Sequence, residues 1–281
     1  MFPCIAKLSL FATIALAATA QTAAAGASAW DGDAKSGIRL ITGSNTANAP
    51  TFLRAGVEIR LASGWKTYWR YPGDSGVPPH FDFDKSENLK SVKVSWPAPQ
   101  RLADSEGITI GYKDGVVFPL KIEPKEAAKP VVLRIKLDYA ICEKLCIPAQ
   151  GQAELTIKPG TTDTDGAVVT ASENKVPHLQ PLGADTPLAI KSFQRDDSTK
   201  PARVLVDVAA PAGTPVTLFA EGPASDWALP VPEKAEGAPA GLQRFFFALD
   251  GLPPGKTADG ATITLTAVAG RDAIETTIRL D

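Results

Sequence analysis

A chain of 281 residues with 29 basic and 31 acidic side chains carries a formal net charge of −2, and nothing in it resembles a nucleic-acid binder, which would show a basic face. Two histidines, His80 and His178, and a single methionine, Met1, leave too little for a histidine-rich zinc centre or a methionine-rich copper site. Three cysteines remain, Cys4, Cys142 and Cys146, in a chain long enough for two domains of ordinary size.

From the N-terminus, Lys7 and the apolar run 8–20 read as the positive start and short hydrophobic core of a secretory signal. Two small-residue cleavage sites follow, Ala23-Ala24-Ala25 and Ala27-Ser28-Ala29, and residues 1–29 are set aside as this leader. No later apolar stretch approaches the ~20 residues of a membrane span. The mature protein is therefore expected to be soluble and exported to the periplasm, an oxidising compartment where disulfides form.

Strand signals then dominate. Alternating or β-branched runs occupy 37–41, 52–61, 65–70, 89–96, 108–111, 116–122, 131–141 and 153–157, with turn formers such as Ser63-Gly64 and Pro159-Gly160 between them. Asp114-Gly115 between two apolar runs predicts a hairpin. Residues 161–187 turn polar and irregular and read as a linker, with a short helical stretch near 171–175. Further strands are expected at 188–194, 203–208, 216–220, 242–249, 261–267 and 273–280, and the Pro/Ala/Gly-rich 230–241 as a surface loop. The expectation is an all-β chain with two sandwiches in tandem, at 30–160 and 188–281.

Chemistry concentrates in Tyr139-Ala140-Ile141-Cys142-Glu143-Lys144-Leu145-Cys146-Ile147-Pro148. With Cys4 in the leader, Cys142 and Cys146 are the only thiols of the exported chain. Four residues of extended strand cover about 13 Å, whereas disulfide Cα atoms lie roughly 4.4–6.8 Å apart. The chain must turn at Glu143-Lys144-Leu145 if the pair is to close, through a three-residue hairpin loop or one helical turn. A ring of about five residues gains only ~2 kcal/mol in the loop-entropy model, against ~4.7 kcal/mol for about 100 residues. So small a ring is a poor staple and a plausible redox pair. A structural bridge, or Cu(I) held by the same two soft thiolates, stays open on the residues alone. Lys144 favours a thiolate and Glu143 opposes it. Pro148 predicts an edge or a bulge for the exit strand.

A second dense segment is Gly64-Trp65-Lys66-Thr67-Tyr68-Trp69-Arg70-Tyr71-Pro72-Gly73. On a strand, Trp65, Thr67 and Trp69 face one way and Lys66, Tyr68 and Arg70 the other. Trp65, Tyr68, Trp69 and Tyr71 are either core or an aromatic wall beside the cysteines that receives a partner.

In order and spacing, Ser63 to Arg70, then Trp96-Pro97, Gly111-Tyr112, Val117-Phe118-Pro119-Leu120 and Asp138 to Pro148 resemble the N-terminal periplasmic domain of DsbD-type thiol:disulfide reductases. The branch most resembled is the ScsB-like one, associated with suppression of copper sensitivity, whose head has tandem immunoglobulin-like modules. The resemblance covers about residues 35–158. It implies an immunoglobulin-like fold, no cofactor, and thiol–disulfide exchange between a thioredoxin-like electron donor and periplasmic partner proteins. It also implies that Cys146 forms the mixed disulfide and that Cys142 resolves it. A cap loop over the cysteines would fall at 102–107, with Asp104 and Glu106 in it and Ile108 or Tyr112 in place of the family's adjacent cap aromatics. The chain departs from the DsbD pattern in having three residues between its cysteines instead of five. It also stops at Asp281, without the family's membrane and thioredoxin domains. The expectation is therefore a detached head that receives electrons from separate proteins, a membrane electron transporter among them.

Overall fold

A computed structural model describes residues 26–45, 52–73, 76–104, 107–160 and 166–281. The strands in chain order are β1 (Asp31–Gly32), β2 (Ser36–Thr42), β3 (Leu53–Leu61), β4 (Lys66–Gly73), β5 (His80–Asp82), β6 (Leu89–Val94), β7 (Gln100–Asp104), β8 (Gly107–Lys113), β9 (Gly115–Pro124), β10 (Val131–Cys142) and β11 (Cys146–Ile157). One short helix among the described residues, α1 (Gly166–Glu173), separates them from β12 (His178–Leu179), β13 (Ala189–Asp196), β14 (Arg203–Ala209), β15 (Val216–Glu221), β16 (Glu233–Ala235), β17 (Leu242–Ala248), β18 (Thr262–Ala269) and β19 (Asp272–Arg279). The protein is all-β, as expected.

The strands form four sheets, two from each half of the chain. The first half builds β1-β2-β3-β9-β6 and β11-β10-β4-β8-β7, with β5 added on β10. The second half builds β12-β19-β18-β15 and β13-β14-β17-β16. In the first half the two sheets meet through aromatics. Phe118 on β9 takes the edges of Phe81, Trp96 and Tyr112, with ring centroids 5.2, 5.0 and 5.5 Å away, the tilted geometry that ring quadrupoles favour. Around it Ile38, Leu40, Val57, Ile59, Leu133 and Leu137 are fully buried, and each such side chain contributes about 1.5–3 kcal/mol by leaving water.

Three expectations need correction. Asp114-Gly115 does turn, with φ of 68° and 136°, but it closes no hairpin. β8 pairs with β4 and β7, whereas β9 pairs with β3 and β6. The turn carries the chain between facing sheets. Second, the segment read as a linker is docked: Val169 and Ser172 of α1 are buried, Ser172 donates to the Val117 carbonyl, and Glu173 pairs with Arg54. Third, strand 153–157 starts seven residues earlier, at Cys146. Pro148 and Gly151 hide it from a propensity reading, yet β11 sits at a sheet edge, where proline is tolerated.

The N-terminal boundary also shifts. Gly26 accepts from Thr42 N–H, Ala27 bridges Ile41, and Ser28 N–H donates to Leu40. Residues 26–28 therefore extend the sheet beside β2, inside the stretch that had been set aside as leader. Residues 1–25 lie outside the described ones.

Candidate functional site

β10 and β11 form a hairpin with twelve antiparallel pairs, from Val131↔Ile157 to Cys142↔Cys146. The alternate buried residues Val131, Leu133, Ile135 and Leu137 on β10 hold the register, and Glu143-Lys144-Leu145 is the loop. Of the two turns the spacing allowed, the three-residue hairpin is the one formed. Cys142 and Cys146 stand directly opposite each other, 4.1 Å apart at Cα, and are joined by a disulfide.

The two sulfurs have unequal surroundings. β10 lies inside its sheet, flanked by β11 and β4, so Cys142 is 4% exposed. Cys146 opens the edge strand and is exposed, next to Leu145, which is 73% exposed. On the other side of β10, Ile141 pairs with Thr67 and Cys142 with Lys66. Lys66 in turn pairs with Lys113 on β8. A row Cys146–Cys142–Lys66–Lys113 therefore crosses four strands, and the Thr67 hydroxyl ties β4 to β10 by donating to the Ala140 carbonyl at 2.8 Å.

Tyr68, two residues along β4 from Lys66, shares its face with Cys142 and Ala140 in a small buried cluster apart from the main core. Its hydroxyl lies 2.9 Å from Cys146 Sγ. Gly76 covers the ring: its φ is 133°, and a Cβ there would stand 2.2 Å from Tyr68 Cε1. Beyond the ring runs a largely apolar groove of about 700 Å³, lined by Tyr68, Val77, Pro78, His80, Cys146 and Pro148 among others. Val77 on its rim is 61% exposed.

The aromatic wall reduces to Tyr68. The alternation along β4 places Trp69 on the opposite face, fully buried and 5.8 Å from Phe219 of the second half. Tyr71 donates to the Leu229 carbonyl at 3.2 Å, and burial pushes its phenol up to about 12. Trp65 is half-buried, with the Lys35 ammonium 5.6 Å from its ring centroid. Tyr112 is no shield for the disulfide either. It points into the core, donates to the Pro97 carbonyl at 2.8 Å, and burial raises its pKa well above the ordinary phenol value. Of the expected cap loop, Ser105, Glu106 and the Asp104 side chain lie outside the described residues, and its flanks form the β7–β8 pairing Asp104↔Gly107.

Sequence reasoning missed Lys66, His80 and the 76–78 segment as neighbours of the cysteines. Alternation put Lys66 on the Tyr68 face, but nothing along the chain tells which strand lies beside β4. His80 reaches the groove because β5 pairs with β10 at Asp138. Among the described residues, no three His, Cys, Asp or Glu side chains are grouped as a metal site.

Residues 44–158 match the family described as thiol:disulfide interchange protein DsbD, N-terminal, so the resemblance read from the motifs holds over the segment that contains both cysteines. The chain is similar in fold to the N-terminal periplasmic domain of ScsB from Proteus mirabilis: 18% identity, a TM-score of 0.70, and coverage of 91% of this chain and 98% of that one. No curated protein matches the sequence. Among the described residues no helix is long and apolar enough to cross a membrane.

Proposed function

We propose that this chain is a periplasmic carrier of reducing equivalents, passing two electrons from a thioredoxin-like dithiol donor to oxidised periplasmic proteins through Cys142 and Cys146. The observation that carries the reading is the unequal exposure of the two sulfurs, Cys146 open on the edge strand and Cys142 buried beneath it. Only the sulfur that a partner can touch can be attacked. A donor thiolate attacks Cys146 Sγ, a donor–Cys146 disulfide forms, and the Cys142–Cys146 bond breaks with its electron pair left on Cys142. The donor's second thiolate then releases Cys146, so the donor is oxidised and this chain holds a dithiol. Delivery runs the same steps in reverse on a partner disulfide, with Cys146 attacking and Cys142 resolving. The apolar groove beside Cys146, with Val77 and Leu145 exposed at its rim, suits a protein partner.

The two pairs of sheets are read as two immunoglobulin-like sandwiches, the first carrying the chemistry. Export is assigned to the leader, with cleavage after Ala25, because a cut after Ala29 would remove the residues that pair with Leu40, Ile41 and Thr42.

The test is a covalent trap. In cells, Cys142→Ser is expected to accumulate partners disulfide-linked to Cys146, identified by mass spectrometry, and Cys146→Ser to accumulate none. Equal trapping by both variants, or a reduction potential well below about −300 mV with no exchange with a reduced thioredoxin-like protein, would sink the reading.

A further inference from the structure

Lys66 is 7% exposed and stands directly across from Cys142 in the β4–β10 register. Cross-strand partners point to the same face with Cβ atoms about 4.5–5.5 Å apart. This is the face of Tyr68 and Cys142, not of the main core. A lysine held in that place has its ammonium within a stem's reach of the buried sulfur. The other charged or titratable groups nearest Cys142 on these elements, among the described residues, are Tyr68 on the same face of β4, Asp138 on β10 with His80 opposite it on β5, Lys113 on β8 in the same row, and Glu143 and Lys144 in the exposed loop. The Glu143 carboxylate lies over the Gly64 turn.

We propose that Lys66 is a positioning residue that holds Cys142 as a thiolate whenever the disulfide opens, and so sets the reactivity of the buried sulfur. The inference rests on the exchange reading above and deepens it. When the donor thiolate attacks Cys146, the electron pair of the broken bond goes to Cys142. When a partner disulfide is attacked by Cys146, Cys142 must be deprotonated to resolve the mixed species. Burial in apolar surroundings disfavours the charged form in both steps. A cation carried by the buried residue opposite offsets that.

The experiment is a titration of the Cys142 thiolate by its ultraviolet absorbance in the Cys4→Ser, Cys146→Ser protein, which needs no access to the sulfur. The expected midpoint lies below the ordinary thiol value of about 8.5. Lys66→Met should raise it by at least about one pH unit, a tenfold loss of thiolate below the midpoint, and Lys66→Arg should restore most of the shift. A midpoint at or above about 8.5 with Lys66 in place overturns the inference, and this holds even if Lys66→Met does not fold. A midpoint unmoved by a folded Lys66→Met overturns it equally. Exchange of the unaltered protein with a reduced thioredoxin-like domain is measured in parallel. Absent exchange with a depressed midpoint removes the carrier reading alone, and present exchange with an unmoved midpoint removes the role of Lys66 alone.

Discussion

At the scale of single residues, the site works by contrast between two identical side chains. Cys142 and Cys146 differ in burial because one strand is interior and the other is an edge. Tyr68 sharpens the difference, since its hydroxyl is within hydrogen-bonding distance of Cys146 Sγ, where it can donate to the thiolate that forms on reduction. Tyr68→Phe is expected to change stability by about 1 kcal/mol or less while slowing attack by reduced Cys146 about three- to tenfold at neutral pH, a loss of up to ~1.4 kcal/mol. Stopped-flow exchange with a small disulfide measures the rate and urea unfolding the stability. Gly76 holds the ring in place. Gly76→Ala forces a Cβ onto Tyr68 at a backbone angle that L-residues avoid. It should cost about 1–3 kcal/mol in urea unfolding and reproduce the rate defect of Tyr68→Phe. Normal exchange in Gly76→Ala would mean that the tyrosine is not positioned from this side.

At the scale of elements, the β10–β11 hairpin is stable before its tip is bonded. Twelve register pairs and a buried row of aliphatic side chains on β10 fix it, and the disulfide closes a ring of only five residues. Reduction should therefore lower stability by no more than ~2 kcal/mol, seen as a small shift between melts with and without reductant. Unfolding on reduction would contradict this. A carrier needs that independence, since its fold has to survive both redox states. In the second half, β14 and β17 are tied by Arg244, which donates to both oxygens of Asp207 at 2.7 and 2.8 Å. The Arg244 hydrogen bonds hold the Asp207 carboxyl below its ordinary value, against the opposing effect of burial. A depressed folded pKa gives stability that is fully present above the unfolded value of ~3.9 and is lost as pH falls through the folded one. Asp207→Asn should lower the melting temperature at neutral pH and flatten its decline on acidification below about pH 4. An unchanged acid slope would show that other carboxylates carry it.

At the scale of the whole molecule, the two halves share one continuous buried apolar cluster, with Trp69 against Phe219 at the junction. Arg70 sits there between two carboxylates. It donates to Glu221 at 2.8 and 2.7 Å, reaches Glu275 as well, and lies 4.4 Å from the Trp69 ring centroid. Burial works against the guanidinium's charge, yet Glu221 and Glu275 together hold its pKa above the usual arginine value. Arg70→Met would leave two partly buried carboxylates facing each other. The expected loss is about 2–3 kcal/mol, less than the ~3–5 kcal/mol of a fully buried pair because solvent still reaches these side chains. Calorimetry should resolve two transitions in the variant where the unaltered protein shows one. A single transition at an unchanged temperature would mean that the apolar contacts alone couple the halves.

How much was legible along the chain follows from the range of each signal. The all-β class, most strand positions, the cysteine pair, the need for a turn at 143–145 and the edge position of Pro148 are local or period-two patterns, and one residue's neighbours suffice to write them. The inside and outside of β4 were legible for the same reason, which is why Tyr68 and Trp69 part company as the alternation requires. Lateral order is another matter. Which strand lies beside which depends on the summed burial of distant segments, so Lys66 opposite Cys142, His80 in the groove, Tyr112 in the core and the sheet change at Asp114-Gly115 were decided only when the sheets packed. The sequence by itself determined that two thiols lie four residues apart and need a turn at 143–145 if they are to meet. The tertiary structure decided which of them faces solvent and what charge stands behind the other, because exposure and cross-strand contact arise only when separate strands are brought side by side.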